Sequence, residues 1–339
     1  MSSIKAMQII GTQRSGSNLL RVMLNQIQEI EAPHPPHILQ RFSPLLSKYG
    51  ELDNESNFNQ LIDDVCKLIE LNPVPWKEFE LDRKLIRQRC RSNSLIEVFN
   101  SIYSLKAEYS NARYWCCKSM ANFKYANEFE ELDIKPFYIY LYRDGRDVAL
   151  SFKKAIVGSK HTYHIAKQWK EDQEHCLQLK GSFGENRFFS ICYEQLLANP
   201  ENTLKRLCGF LKIPFNNSML EYYNSEESWT TACSGKMWKN VSQPLLKNNT
   251  NKFLKHLSDE DQAIFECIAG ATLEKLDFKL YKTKFLNSFS KKDIEKFNIE
   301  NELLKQKTLV NACEEDLKRK KEQLNLLKEI RNRNNVHCY

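Results

Sequence analysis

Short, continuous apolar runs alternate with amphipathic stretches along most of the chain. The runs at residues 7–10 and 136–142 are rich in branched and aromatic side chains, which is typical of buried strands. A third run begins at 187 and passes into a helix before 197, and residues 18–28 and 199–213 carry apolar positions at helical spacing. Strands that alternate with helices predict an α/β fold, with a central, mostly parallel sheet flanked by helices.

The C-terminal part of the chain differs in composition and predicts a separate helical segment. Residues 291–339 contain no glycine and no proline, and their apolar residues share one heptad register: Ile299, Leu303, Val310, Cys313, Leu317, Leu324 and Leu327. We therefore predict a main domain over residues 1–285 and a helical C-terminal extension over residues 286–339. The extension is expected to be one long helix. Three arrangements of this helix are open. It could dock on the body, pair with a second copy as a coiled coil and so form a homo-oligomer, or stay a solvated tail.

Composition limits the classes of function. The 339 residues carry a formal net charge of +7, from 50 Lys and Arg against 43 Asp and Glu. This charge suits an anionic ligand but is too dilute to indicate nucleic-acid binding. The N-terminus has no signal-peptide pattern, and no apolar run approaches the length of a membrane span. Because the 11 cysteines lack CxxC pairs and zinc-type spacing, we expect a soluble cytoplasmic protein with reduced thiols and no metal site.

A loop bounded by two glycines follows the first predicted strand. Gly11 and Gly16 have the spacing of a phosphate-binding P-loop, but Ser17 and Asn18 stand where that motif has Lys and Ser or Thr. The backbone N–H groups of such a loop and the dipole of the next helix attract an anion, and Arg14 adds a cation. The pattern predicts a site for an anion that needs no magnesium. A plain strand–turn–helix connection is the structural alternative.

A second charged segment follows the strand at 136–142 in the same way. Arg143 stands at the end of that strand, and Asp144 or Asp147 is placed to cap the next helix. Ser151 lies eight residues beyond Arg143, about one turn into that helix. We expect Arg143 and Ser151 to hold one phosphate between them at the carboxyl edge of the sheet, where α/β proteins bind their ligands. A charged loop with a capped helix is the alternative.

Taken together, these two segments resemble those of the sulfotransferases that use 3′-phosphoadenosine 5′-phosphosulfate (PAPS). Residues 191–215 are similar to that family's strand-and-helix segment beginning Tyr-Glu-x-Leu. Residues 234–240, SGKMWKN, are similar to its late loop that closes over the co-substrate. The resemblance spans roughly residues 7–285. It implies a P-loop-containing nucleotide-binding fold, with PAPS as co-substrate, PAP as product and no metal.

The resemblance also implies which residues contact the co-substrate. The 5′-phosphosulfate loop corresponds to Arg14, Ser15, Gly16, Ser17, Asn18 and Leu19. The other implied contacts are Arg143 and Ser151 at the 3′-phosphate, Tyr193 at the adenine, and Ser234, Gly235 and Lys236 in the closing loop.

Catalysis requires that negative charge on the leaving phosphate be neutralised and that the acceptor proton be removed. Arg14 and the loop N–H groups supply positive potential, and the resemblance places Lys118 near the reacting centre. One branch of relatives, which includes the tyrosylprotein sulfotransferases, carries a glutamate base at a distance past the loop arginine where this sequence has His34. His37 is the second candidate base, since histidine accepts a proton near neutral pH. Polar surface roles for both histidines are the alternative.

The predicted activity is therefore transfer of the sulfuryl group of PAPS to an acceptor hydroxyl or, as a second choice, an amine. A degenerate P-loop kinase and a non-catalytic nucleotide-binding scaffold are the alternatives. The acceptor class stays open among carbohydrate, lipid, small alcohol and peptide, because the sequence segments that would surround it contain no recognisable motif.

Overall fold

One parallel sheet lies at the centre of the molecule, in a computed structural model that describes residues 4–282, 288–312 and 314–333. Its strands are β1 (Lys5–Ile10), β2 (Ile30–Glu31), β3 (Tyr114–Cys117), β4 (Phe137–Tyr142) and β5 (Phe188–Cys192). The spatial order is β2–β3–β1–β4–β5, and every neighbouring pair is parallel. β1 therefore lies in the middle, with β3 on one side and β4 on the other. The carboxyl ends of these three strands meet at one edge, where open α/β sheets form ligand sites.

The helices account for most of the remaining described residues. They are α1 (Ser17–Leu24), α2 (Ile38–Phe42), α3 (Glu55–Glu70), α4 (Arg83–Arg89), α5 (Leu95–Tyr109), α6 (Ala126–Glu131), α7 (Gly145–Lys154), α8 (Thr162–Phe183), α9 (Tyr193–Ala198), α10 (Pro200–Leu211), α11 (Glu226–Cys233), α12 (Phe253–His256), α13 (Asp259–Lys275), α14 (Lys291–Val310) and α15 (Glu314–Asn332). Short 3₁₀ turns lie at Ser43–Lys48, Met120–Tyr125, Asn217–Met219, Tyr222–Asn224 and Lys236–Ser242. None of the helices in the described ranges combines the length and apolar character that a membrane span requires.

Alternating side chains of the central strands pack on helices at opposite faces of the sheet. Ile139 and Leu141 of β4 belong to a core with α1, α9 and α10. Tyr138 precedes Ile139, and Tyr140 lies between Ile139 and Leu141. Both tyrosines belong to a second core with α7, α8 and α13. The continuous apolar run in the sequence follows from this arrangement, since both faces of the strand are buried. The predicted α/β fold with a parallel sheet flanked by helices is confirmed.

Two local features differ from the sequence predictions. The four-residue strand β3 was not predicted, because a run this short shows no clear period. Helix α1 ends at Leu24 rather than near residue 28, since the chain turns there to form β2. Arg146 of α7 is almost fully buried and pairs with both Asp144 and Glu266.

The predicted single C-terminal helix is two helices. α14 begins with a capping box in which Ser290 and Asp293 bond reciprocally, and it ends at Val310 with Asn311 as its cap. α15 then starts at Glu314. The predicted domain boundary at residue 285 lies outside the described residues, and so does Cys313 of the heptad register.

Both C-terminal helices dock on the body, which is one of the three arrangements that the sequence left open. The Phe297 ring of α14 stacks on His161 with the ring centroids 4.5 Å apart, and Asn301 Oδ1 accepts the backbone N–H groups of Lys160 and His161. From α15, Leu326 and Ile330 join the core that contains α3 and α5. The predicted heptad positions mostly face solvent instead: Ile299, Leu303, Val310, Leu317 and Leu324 are exposed.

Glycine at the first position of α7 is expected to be essential for the packing of three helices. A Cβ atom at Gly145 would lie 2.6 Å from Trp169 Cδ2 of α8 and would overlap the Phe265 ring of α13. Gly145→Ala should therefore lower the free energy of unfolding by about 1–3 kcal/mol, as overpacked cores do. Gly181→Ala in α8 is the matched control, because nothing lies within 4 Å of its Cβ position. It should be neutral or stabilise by up to about 1 kcal/mol. Urea unfolding monitored by circular dichroism measures both changes, and equal effects of the two substitutions would contradict this packing.

Candidate functional site

The loop between β1 and α1 is sharply bent by three residues with positive φ. These are Gly11 at 130°, Arg14 at 72° and Gly16 at 91°. A Cβ atom at Gly16 would lie 2.5 Å from Cδ2 of Tyr193, so the position has neither the conformation nor the space for a side chain. Such a loop at a helix N-terminus directs backbone N–H groups towards one point and favours an anion there.

Two guanidinium groups from the two predicted anion motifs come together beside this loop. Arg14 Nε donates to Ser151 Oγ at 3.0 Å, so the first motif is bonded directly to the second. Arg143 donates to the backbone carbonyl of Arg14 at 3.3 Å. Burial lowers the pKa of Arg14, and the neighbouring charge of Arg143 lowers it further. Because two like charges are held close together, this point of the molecule favours a multiply charged anion.

Arg143 is positioned by one carboxylate and by several neutral groups. It donates to the Asn249 carbonyl at 2.8 Å, and its guanidinium carbon lies 4.6 Å from the centre of the Tyr193 ring. Its Nη2 also donates to Asp147 Oδ2 at 3.4 Å, in a buried ion pair. Trp169 Nε1 donates to the Arg143 carbonyl at 3.2 Å. Arg143 Nε is buried and has no hydrogen-bond partner within the described part of the chain, so it is available to a ligand.

Lys118 follows β3 and so reaches the same edge of the sheet as the loop after β1. It is only 7% exposed. Burial lowers its pKa to about 7, and the charges of Arg21 and Arg14 contribute to this shift. A lysine in this state gains its proton fully only when an anion lies beside it.

His34 lies in a proline-rich loop that is fixed by side chains from two other segments. Its carbonyl oxygen accepts Asn72 Nδ2 at 3.0 Å and Trp76 Nε1 at 2.8 Å. The edge of its ring meets the ring of Trp238, with the centroids 4.8 Å apart. Among the described residues, Nε2 of His34 has no hydrogen-bond partner. Burial holds the pKa of His34 well below its usual value, helped by the charge of Lys118, so the ring is neutral and able to accept a proton.

His37 stands at the start of α2 with a φ of 61°. Its Nδ1 lies 3.0 Å from Ser119 Oγ, next to Lys118 in the chain. Burial lowers its pKa well below the usual value, followed by the effects of Lys118 and Arg41. Both candidate bases are therefore neutral, and the structure brings both to the same wall of the site.

Arg21 ties the helix of the phosphate loop to the histidine loop. It is fully buried in α1 and donates to the Ala32 carbonyl at 2.9 Å and to Thr231 Oγ1 at 3.0 Å. It also pairs with Glu227 of α11. One guanidinium therefore links α1 to the loop that carries the histidines and to α11.

A cleft of about 1160 Å³ collects these groups. The predicted residues that line it are Arg14, Gly16, Ser17, Asn18, Leu19, His34, His37, Lys118, Arg143, Ser151, Tyr193 and Lys236. Ser15 is fully buried beside it, and its Oγ has no partner among the residues that the structure describes. Ser234 and Gly235 are not part of the lining. Ser234 Oγ donates to the Thr230 and Pro73 carbonyls at 2.7 and 3.3 Å, so its contact with a ligand stays a prediction.

Several lining or supporting residues were not identified from the sequence. Asn249 bonds both Arg143 and the Tyr193 hydroxyl, the latter at 2.7 Å, yet it lies in a polar loop without a motif. Trp238 belongs to a segment that the sequence did single out, but its contact with His34 was not predicted. Arg41 and the C-terminal helices also line the cleft, and no local pattern indicated this. Over the described ranges, no group of three or more His, Cys, Asp and Glu residues is arranged to hold a metal ion.

Comparison with known proteins gives related sequences and a related fold. The chain is 24% identical over 217 residues to protein-tyrosine sulfotransferase A of Caenorhabditis elegans, covering 62% of this chain and 51% of that protein. It is 22% identical over 217 residues to the protein-tyrosine sulfotransferase of Drosophila melanogaster, covering 62% of this chain and 39% of that one. The chain thus spans less than two thirds of the length of either relative.

The fold is similar to that of the sulfotransferase domain from the Synechococcus PCC 7002 olefin synthase. That match has a TM-score of 0.56 and 19% sequence identity, and it covers 83% of this chain and 98% of that domain. Residues 7–217 match the model of the sulfotransferase family, and this range contains both anion motifs, the candidate histidines and Lys118. The chain therefore belongs to the sulfotransferase family.

Proposed function

We propose that this protein transfers the sulfuryl group of PAPS to an acceptor hydroxyl, or less favourably an amine, and releases PAP. The observation that carries the proposal is the pair of guanidinium groups of Arg14 and Arg143, which meet beside a P-loop without its lysine. PAPS has a 5′-phosphosulfate and a separate 3′-phosphate, so it needs two neighbouring anion sites. Membership of the sulfotransferase family supports the same activity.

The polar groups of the cleft fit such a ligand. Arg143 Nε and Ser15 Oγ are buried without partners among the described residues, and each offers a hydrogen bond. Arg14 and the loop N–H groups would hold the 5′ end, and Arg143 with Ser151 would hold the 3′-phosphate. PAPS supplies an activated sulfuryl group when it is bound. The protein has to orient it, exclude water and handle the charge and the proton.

His34 is the proposed general base. Its neutral ring offers a free Nε2 to the hydroxyl proton of the acceptor, and the surrounding rings and carbonyl contacts fix its orientation. Arg14 and Lys118 place positive charge where negative charge grows on the leaving phosphate. His37 is the second candidate base, since it lines the same cleft.

The acceptor class remains a proposal at the level of an alcohol or amine. Carbohydrates, lipids, small alcohols and peptides are all candidates. The relatives at 24% and 22% identity are named as protein-tyrosine sulfotransferases, so tyrosine peptides belong in the first acceptor screen.

We also propose a reducing compartment such as the cytoplasm, and self-association through the C-terminal helices. The cysteines of the described ranges are free thiols, and most of them are buried. The exposed apolar positions Ile299, Leu303, Val310, Leu317 and Leu324 supply a surface for a second copy. Light scattering of the purified chain tests self-association, and imaging of a tagged chain tests the compartment. A monomer at all concentrations, or a secretory location, would contradict the respective proposal.

The first test is calorimetric titration with PAP beside magnesium-ATP. We expect micromolar binding of PAP and none of ATP.

Arg143→Ala should weaken PAP binding by about 10- to 150-fold, because a charge-assisted hydrogen bond contributes about 1.5–3 kcal/mol. Arg187→Ala is the matched control, since Arg187 pairs with Glu130 and does not line the cleft. Preference for magnesium-ATP would favour the kinase alternative. Unchanged affinity in Arg143→Ala would show that the 3′-phosphate site was misassigned.

The assignment of the base is tested by two alanine variants. His34→Ala should retain PAP affinity and reduce turnover by about 10²- to 10⁴-fold, which is the usual contribution of a general base. His37→Ala should reduce turnover much less. Transfer from labelled PAPS to the acceptor found in the screen measures both. If His37→Ala has the larger effect, the base is His37.

The lowered pKa of Lys118 predicts that PAP binding depends on pH. Its pKa is about 7 without ligand, and a bound anion raises this pKa because it favours the charged form. Affinity should therefore be highest below pH 7 and fall as the pH rises through 7, by about fivefold between pH 7 and pH 8. Lys118→Arg keeps its charge across this range and should give a flat profile. Titrations at both pH values measure the slope, and an equal slope in the two proteins would mean that another group titrates.

A further inference from the structure

Arg41 is a partly buried cation in the cleft wall that the proposed PAPS contacts leave unused. It lies one turn after His37, whose carbonyl accepts the Arg41 backbone N–H at 3.1 Å. Its side chain lines the cleft, and burial lowers its pKa to about 10. Within the described residues no carboxylate pairs with it. Its Nη1 donates to the neutral carboxamide of Gln323, whose Oε1 lies 2.7 Å away. An arginine buried in this way is costly unless an anion completes the site.

The position of Arg41 differs from that of the PAPS arginines. The charged neighbour that lowers the pKa of Arg14 is Arg143, whereas the charge of Arg41 acts on His37. Lys320 of α15 acts on both histidines and on Lys118. Positive charge therefore extends from the anion loop past the candidate bases. An acceptor must approach the base, and Arg41 lies one helical turn from His37 in the cleft lining, so Arg41 is placed on the side of the cleft that carries the candidate bases.

The C-terminal helix α15 fixes the orientation of Arg41. Gln323 is 1% exposed, and its two ends are both used: Oε1 accepts Arg41, and Nε2 donates to the Leu68 carbonyl at 2.7 Å. These two bonds orient the carboxamide with its oxygen towards Arg41. The Arg41 guanidinium is thus held by a neutral group, which supplies no counter-charge. α15 lies beyond residues 7–217, the range that matches the family model, so this contact is an addition to the matched range.

We propose that Arg41, positioned by Gln323, binds an anionic group of the acceptor: a carboxylate, phosphate or sulfate carried near the hydroxyl that receives the sulfuryl group. The planar guanidinium offers paired donors that suit such groups. Among the described lining residues the acidic side chain is Asp147, whereas Lys and Arg are frequent, so the cleft favours anionic molecules throughout. This inference rests on the proposed function, since only a transferase has an acceptor.

The first experiment measures anion binding to the full chain saturated with PAP. Inorganic phosphate, sulfate and acetate are titrated separately into wild type, Arg41→Met and Gln323→Glu. Wild type should bind one further anion. Arg41→Met removes the charge at similar volume, and Gln323→Glu keeps Arg41 but supplies it with an internal carboxylate. Both should lose at least tenfold in affinity for the anion and keep the affinity for PAP.

Arg319→Ala is the control for general electrostatics. It removes one positive charge from the same helix, but Arg319 donates to the Cys233 carbonyl and does not line the cleft. This variant should bind the anion as wild type does. Loss of anion binding in the control, its retention in Arg41→Met or Gln323→Glu, or no second anion in wild type would overturn the inference.

The second experiment separates an acceptor group from a free anion. For an alcohol that wild type sulfates from labelled PAPS, the compound is compared with its neutral ester or amide counterpart. The anionic member should have a kcat/KM at least tenfold higher, mostly through KM, and Arg41→Met should abolish that preference. Equal use of both members would overturn the acceptor role. Failure of wild type to bind PAP at all would instead disprove the proposed function, so the two failures are distinguishable.

Discussion

Positive charge held out of water at one edge of the sheet is the constraint on which the site depends. Arg14, Lys118 and Arg143 follow β1, β3 and β4, three adjacent parallel strands, so their convergence is a direct result of the strand order. The nearby acidic groups are few and occupied: Asp147 accepts the backbone N–H of Phe253 at 2.9 Å as well as facing Arg143. The fold therefore bears the free-energy cost of concentrated like charges, and an anionic ligand relieves it.

Most of the contacts that support Arg143 are neutral. The Asn249 backbone carbonyl and the Tyr193 ring contact it beside its pair with Asp147, and the Asn249 side chain holds the Tyr193 hydroxyl. Elsewhere buried arginines are neutralised fully, as Arg146 is by Asp144 and Glu266. Arg143, three residues earlier, pairs with one carboxylate and has an Nε without a partner among the described residues.

The sequence predicted the parts of the site that depend on local pattern. The β1 loop and the segment after β4 each combine an apolar strand, a charged turn and a helix start within a few residues, and both were placed correctly in the fold. The pairing of Arg146 with Glu266 has no local signal, because Glu266 is 120 residues away in the chain. The break between α14 and α15 was missed as well, because each helix docks on a different surface and the heptad spacing carries no information about those contacts.

The loop at residues 155–158 forms one side of the cleft, and its continuation at Lys160 and His161 is held by Asn301 of α14. The side chain of one asparagine thus satisfies two backbone donors that would otherwise be buried without a partner. Loss of the α14 contact would leave both donors buried and unpaired, so the conformation of this side of the cleft depends on a residue of the C-terminal extension.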